Sequence, residues 1–114
     1  MTMTKSALSK KEQLLLNEFK DLLLRLFPDE VLEVRMFGSR ARGEATSESD
    51  LDVLIVTRHD DYRVSDRIID LTCDLLLKHQ IYISPKVISQ RHYDQLEAMD
   101  SDFLYQVKQE GILL

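Results

Sequence analysis

The strongest structural signal in the sequence lies in Met36–Val56, MFGSRARGEATSESDLDVLIV. It predicts a strand that ends near Gly38, a tight basic turn, and a second strand that opens with an aspartate on either side of a leucine. Residues two apart on a strand point to the same face, with Cα atoms roughly 6.6–6.8 Å apart. Asp50 and Asp52 can therefore direct both carboxylates at one point beside the turn.

Two carboxylates beside a glycine-bearing turn and two arginines indicate a divalent metal that holds a polyphosphate. Mg²⁺ takes hard oxygen ligands, commonly one or two carboxylates plus the phosphates of a substrate. A second ion, roughly 3.5–4 Å from the first, would fit the clamp used for in-line displacement. We therefore predict that Asp50 and Asp52 are both the metal ligands and the catalytic carboxylates, for one Mg²⁺ ion or two.

The turn itself supplies the expected phosphate contacts. Gly38 permits a backbone geometry that other residues resist and lets a ligand approach the main chain closely. Ser39 can offer its hydroxyl and its N–H to a phosphate oxygen. Arg40 and Arg42 either contact phosphate, for which the planar guanidinium is well suited, or pair with acidic residues of the same loop. Both interpretations of the arginines stay open from the sequence.

The motif GSRARG at residues 38–43, followed by SDLDV at residues 49–53, resembles the signature of the DNA polymerase β-type nucleotidyltransferase superfamily. More narrowly, it resembles the minimal nucleotidyltransferases, which consist of little beyond the catalytic domain. The resemblance implies the polymerase β-type fold and the transfer of a nucleoside monophosphate from an NTP to an acceptor, with Mg²⁺. AMP from ATP is the expected group. The resemblance also implies a partner, a helical HEPN-type protein, with this chain as the antitoxin half of a toxin–antitoxin pair.

The superfamily pattern includes a third carboxylate on the next long strand, and this chain departs from it. That strand is predicted from Ile81 to Ile88 and contains no acid; Tyr82, Ser84 and Lys86 occupy its alternating polar positions. Activation of the nucleophile is then weaker, or it falls to a partner or to the substrate. The alternative function is a binding module that holds nucleotide or partner and neutralises the partner by contact.

Composition limits the remaining function classes. A chain of 114 residues with 44% hydrophobic residues fits one minimal nucleotidyltransferase domain over residues 1–114. There is no apolar run of 18 residues, and the first residues lack the apolar centre of a signal peptide, so we expect a cytoplasmic protein without a membrane span. The net charge of −5 disfavours a long nucleic acid as acceptor, because such binders usually carry a basic face. Homo-oligomerisation stays open.

Periodicity predicts an α/β protein with a small mixed sheet of three or four strands and helices packed against it. Strands are expected at Val31–Phe37, with Leu32 facing the core, and at Leu51–Thr57, whose continuous apolar run is typical of a strand covered on both faces. Pro85 predicts that the third strand lies at an edge of the sheet or carries a bulge. The carboxyl end of the first strand can meet Asp50 and Asp52 only if the first two strands are antiparallel.

Helix signals complete the prediction. A capping box at residues 9–12 opens a helix that Pro28 terminates, and Asp60 and Asp61 open a second helix, in which Cys73 is expected to be buried. Two serines, at positions 89 and 101, are expected to cap two shorter helices. The apolar tail Ile112–Leu114 either packs back onto the domain or meets a partner.

Overall fold

The computed structural model describes residues 8–38, 41 and 50–114, and these form four helices and one four-stranded sheet. We label the elements in chain order: α1 (Lys10–Leu26), β1 (Val31–Phe37), β2 (Leu51–Thr57), α2 (Tyr62–His79), β3 (Ile83–Ser89), α3 (Gln90–Ala98), α4 (Asp102–Glu110) and β4 (Ile112–Leu113). The α/β fold class and the mixed sheet predicted from the sequence are confirmed.

The sheet has the strand order β3-β2-β1-β4. Strand β1 is antiparallel to both β2 and β4, whereas β3 is parallel to β2. The antiparallel register places Phe37, the last residue of β1, opposite Asp52 near the start of β2. The end of one central strand and the beginning of the other therefore meet at one edge of the sheet, as the sequence predicted.

Strand β3 forms one edge of the sheet, which confirms the prediction made from Pro85. A proline lacks the N–H that a central strand needs, so an edge position tolerates it. The strand covers Ile83–Ser89 rather than beginning at Ile81. The carbonyl of Tyr82 nevertheless accepts a hydrogen bond from the N–H of Leu51 at 3.3 Å, so β3 is already beside β2 at that point.

Helices cover both faces of β2. On one face, α1 and α2 contribute Phe19 and Ile68 to a buried cluster that includes Val53 and Ile55. On the other face, α3 and α4 contribute Leu96 and Val107 to a second cluster that includes Leu54, Val56 and Ile88. Successive side chains of a strand point to opposite faces, so Asp52 lies on the α3/α4 side, in line with Leu54.

Local hydrogen bonds fix the beginnings of the helices where the sequence predicts them. The Ser9 hydroxyl accepts from the Glu12 N–H at 3.1 Å, and the Glu12 carboxylate accepts from the Ser9 N–H at 2.8 Å, which completes the capping box. Asp61, Ser89 and Ser101 each accept from an N–H of the first turn of the helix that follows. The capping predictions are confirmed.

Two expectations change in the structure, and one alternative that the sequence left open is decided. Leu32 is 41% exposed because the β1–β2 register shifts between Val31 and Glu33, and the extra residue of this bulge points to solvent. Cys73 is exposed on α2 rather than buried. The apolar tail packs back onto the domain as β4, which pairs with β1 through Arg35 and Met36. Within the described residues, no helix is long and apolar enough to cross a membrane.

Candidate functional site

Gly38 ends β1 in a conformation that other residues rarely adopt. Its φ of +81° lies in the left-handed region, where a Cβ atom crowds the backbone. The Gly38 carbonyl accepts a hydrogen bond from the N–H of Ala41 at 3.1 Å, and the Ala41 side chain is completely buried in the core. This hydrogen bond and the buried methyl group hold Ala41 close to the end of β1.

The side chain of Asp52 packs directly against the backbone of Gly38. A Cβ atom placed on Gly38 would overlap the Asp52 Oδ2 and would lie 3.2 Å from its Cγ and 3.3 Å from its Cβ. Asp52 itself is partly exposed. Glycine is thus favoured at position 38 for two separate reasons, the backbone conformation and the space that the carboxylate occupies.

Asp50 immediately precedes β2 and is exposed. It lies two residues before Asp52, which is the second residue of β2. Of the six site residues predicted from the sequence, the structure places these two and Gly38 at one end of the β1–β2 pair. The other three, Ser39, Arg40 and Arg42, lie outside the described residues.

Ser84 occupies the position beside Asp52 on β3. The parallel register pairs these two residues, so their side chains lie on the same face of the sheet. Lys86, the next residue of β3 on that face, pairs with Leu54 and is exposed. Strand β3 carries no acid, and in the described part of the chain no group of three or more His, Cys, Asp or Glu side chains is placed to hold a metal ion.

A small cavity lies beside Gly38, and the sequence did not predict it. It has a volume of about 150 Å³ and is lined by Phe37, Gly38, Phe103, Gln106, Val107 and Glu110. The rings of Phe37 and Phe103 meet edge to face, with centroids 5.5 Å apart and an interplanar angle of 89°. Phe103, Gln106 and Glu110 are spaced by three and four residues, which places them on one face of a helix. This spacing is the feature of the sequence that could have indicated the cavity wall.

Hydrogen bonds to basic side chains elsewhere lower the pKa of three described carboxylates, Glu18, Glu30 and Asp61. The pKa of Glu18 on α1 is lowered by hydrogen bonds from Lys78 and His79 of α2, both at 3.0 Å, with Lys78 the larger cause. The pKa of Glu30 is lowered chiefly by its hydrogen bond to His59. The first contact ties α1 to α2 on the side of the sheet opposite Asp52, so it stabilises the scaffold rather than the site.

Comparison with known proteins shows which family the chain resembles in sequence. Residues 16–111 match the family model described as nucleotidyltransferase domain. A protein of Methanocaldococcus jannaschii described as a candidate protein adenylyltransferase is 34% identical over 103 residues, which cover 90% of this chain and 97% of that protein. A second protein of the same organism and description is 34% identical over 88 residues, covering 73% of this chain and 89% of its own length.

Among solved structures, the fold is similar to the crystal structure of a candidate nucleotidyltransferase from Sulfolobus solfataricus. The TM-score is 0.57, and the match covers 87% of this chain and 75% of that chain. Sequence identity is 20%, so this likeness shows a shared fold.

Proposed function

Because the chain belongs to the nucleotidyltransferase domain family, we propose that it transfers AMP from ATP to a hydroxyl group of a partner protein. The observation that carries the proposal is the contact between the Asp52 carboxylate and the backbone of Gly38. This contact joins the two halves of the motif at a single point. The description of the relatives as candidate protein adenylyltransferases supports AMP as the transferred group and a protein as the acceptor.

The donor set at this point fits a magnesium ion. Asp50 and Asp52 would hold it, because Mg²⁺ binds carboxylate oxygens and completes its shell with water and substrate phosphates. Because Gly38 has no side chain, the Asp52 carboxylate can lie directly beside the main chain at this point. When bound, the ion would supply positive charge to offset that of the triphosphate and the departing pyrophosphate.

The residues of the chain position the nucleotide for in-line attack. Gly38 gives the phosphates access to the main chain, and we assign Ser39, Arg40 and Arg42 to the phosphate oxygens. The acceptor hydroxyl attacks the α-phosphorus, its new P–O bond forms as the bond to the bridging oxygen breaks, and pyrophosphate departs with the electron pair. Substrate positioning of this kind can contribute about 7–11 kcal/mol toward lowering a barrier.

The proton of the acceptor hydroxyl has no carboxylate on β3 to receive it. Ser84 stands beside Asp52, and a serine hydroxyl is not basic at neutral pH. We therefore propose that the proton passes to water or to a group of the partner. A general base typically contributes about 10²- to 10⁴-fold to a rate, so slow transfer is the expected consequence.

The partner that we propose is a separate helical HEPN-type protein in the cytoplasm, silenced when this chain attaches AMP to it. The proposal follows the resemblance to minimal nucleotidyltransferases and the protein acceptor in the names of the relatives. The absence of an acid on β3 favours a second candidate function, a binding module that neutralises the same partner by contact.

A labelling experiment separates the two functions. The chain is incubated with Mg²⁺, ATP labelled at the α-phosphate and the protein encoded beside it, and the label on that protein is measured. Transfer predicts label on the partner, none from ATP labelled at the γ-phosphate, and none from the Asp50→Asn, Asp52→Asn double variant. Neutralisation without label, retained by the double variant, would identify the binding module instead.

A further inference from the structure

The cavity beside Gly38, which we call the α4 pocket, shares a wall with the predicted phosphate site. Gly38 carries the Asp52 carboxylate against its backbone and also lines the pocket. The other described walls come from Phe37 at the end of β1 and from one face of α4. Among residues 8–38, 41 and 50–114, Gly38 is thus common to the Asp52 contact and to the pocket, so a ligand held at Gly38 can extend into the pocket.

The walls of the α4 pocket favour an uncharged, flat group. Phe37 and Phe103 are partly exposed, so their rings present apolar surface to a ligand. Gln106 is exposed on the same face of α4 and adds an amide with a donor and an acceptor side by side. The described lining residues include no lysine or arginine that could receive a phosphate group.

We propose that the α4 pocket receives the adenine base of the nucleotide and that Gln106 determines the preference for adenine. This inference rests on the proposed function, because it takes the nucleotide to be the ligand at Gly38. The amide of a glutamine can accept from N6 and donate to N7 of adenine. Guanine presents acceptors at both corresponding positions, so the same amide satisfies only one of them. Base stacking on aromatic side chains adds affinity.

The size of the pocket agrees with this assignment. Pockets that enclose a complete small-molecule ligand measure about 300–1,000 Å³. The α4 pocket has about 150 Å³, which suits one ring system rather than a whole nucleotide. The phosphates are then left on the Asp52 side of Gly38, where the carboxylates lie. A tyrosine or serine side chain of an acceptor protein has one hydroxyl and would use only one of the two hydrogen-bonding groups of the Gln106 amide. Such a side chain therefore matches the pocket less well than adenine does.

Nuclear magnetic resonance of the isotope-labelled chain tests the assignment directly. Adenosine without metal reports on the pocket alone, and Mg²⁺-ATP reports on the pocket and the phosphate site together. We expect adenosine to shift the ring signals of Phe103 and the side-chain amide of Gln106, and Mg²⁺-ATP to shift these and the signals of Gly38 and Asp52. If Mg²⁺-ATP moves only the second set, the base lies elsewhere and the inference is wrong while the proposed function stands. If neither set moves, both are wrong.

A matched pair of glutamine variants tests the specificity. Gln106→Ala should reduce the preference for ATP over GTP in binding by at least about fivefold, the lower end of what a bidentate contact contributes to base discrimination. Gln109→Ala is the control, because Gln109 is also exposed on α4 but lines a different surface, away from Gly38. Equal preference in the wild type and in both variants would overturn the role of Gln106. Loss in both variants alike would show a general effect on α4 and would overturn it equally.

Discussion

Substitution of Gly38 by alanine perturbs the backbone conformation and the space of Asp52 at the same time. A residue with a side chain at φ +81° costs about 1–2 kcal/mol. The new Cβ overlaps the Asp52 Oδ2, so the carboxylate has to rotate away, and an off-rotamer side chain costs about 0.5–1.5 kcal/mol. Together these effects predict a loss of about 1.5–3.5 kcal/mol in the free energy of unfolding.

Urea unfolding and thermal melting measure this loss. For a chain of this size, each kcal/mol corresponds to roughly 4 °C in Tm, so Gly38→Ala should melt about 6–14 °C lower. ATP binding should fall as well, because the displaced Asp52 carboxylate no longer lies beside the turn.

A double-mutant cycle separates the two contributions. In an Asp52→Ala background the overlap is absent, so Gly38→Ala should cost only the backbone strain of about 1–2 kcal/mol. The difference between the two backgrounds, about 0.5–1.5 kcal/mol, measures the crowding at Asp52. An equal cost in both backgrounds, or a cost below about 0.5 kcal/mol in the wild type, would refute the contact between Gly38 and Asp52.

Two further perturbations test other parts of the account. Ser84→Asp places a carboxylate beside Asp52, so the rate of AMP transfer should rise by about tenfold or more. The uncharged Ser84→Asn is the control and should give no rise. Equal rates in the two variants would show that no general base is missing. Glu18→Gln removes the ion pair with Lys78 and should lower stability at pH 7 by about 0.2–1 kcal/mol. The lowered pKa of Glu18 means that this contribution is present above the ordinary value of 4.5 and is lost as the pH falls through the lower folded value, so denaturation curves of wild type and variant should converge in acid. A constant gap down to pH 3 would contradict it.

The sequence predicts those parts of the fold that depend on neighbouring residues. Strands β1 and β2 have the predicted bounds because each is a run of residues whose apolar side chains are buried, and such a run is visible in the sequence. The capping residues are correct because a hydroxyl or carboxylate and the nearby N–H groups lie within one turn of chain. The sequence also predicted that β1 and β2 are antiparallel, because only this arrangement brings the end of β1 at Gly38 close to Asp50 and Asp52.

The features that the sequence missed depend on contacts between distant segments. The bulge that exposes Leu32 arises from the pairing of β1 with β2. Strand β4 forms because Ile112 and Leu113 pair with Met36 and Arg35 at the edge of β1. Cys73 follows the buried Thr72 by one position, and on a helix that step turns it away from the core. The helical spacing of Phe103, Gln106 and Glu110 predicts that they share one face of α4. The residues around Phe103 do not, however, predict that its ring packs against Phe37 beside Gly38.

The central claim is that Asp50 and Asp52 bind a divalent ion together with the triphosphate at Gly38. Mn²⁺ in place of Mg²⁺ makes the test direct, because electron paramagnetic resonance counts the free ion in the presence of ATP and protein. We expect Mn²⁺-ATP to bind the wild type and Asp52→Asn to weaken binding by at least about tenfold. Asp70 is an exposed carboxylate of α2, so Asp70→Asn should leave binding unchanged. Equal binding by the wild type and Asp52→Asn would contradict the account.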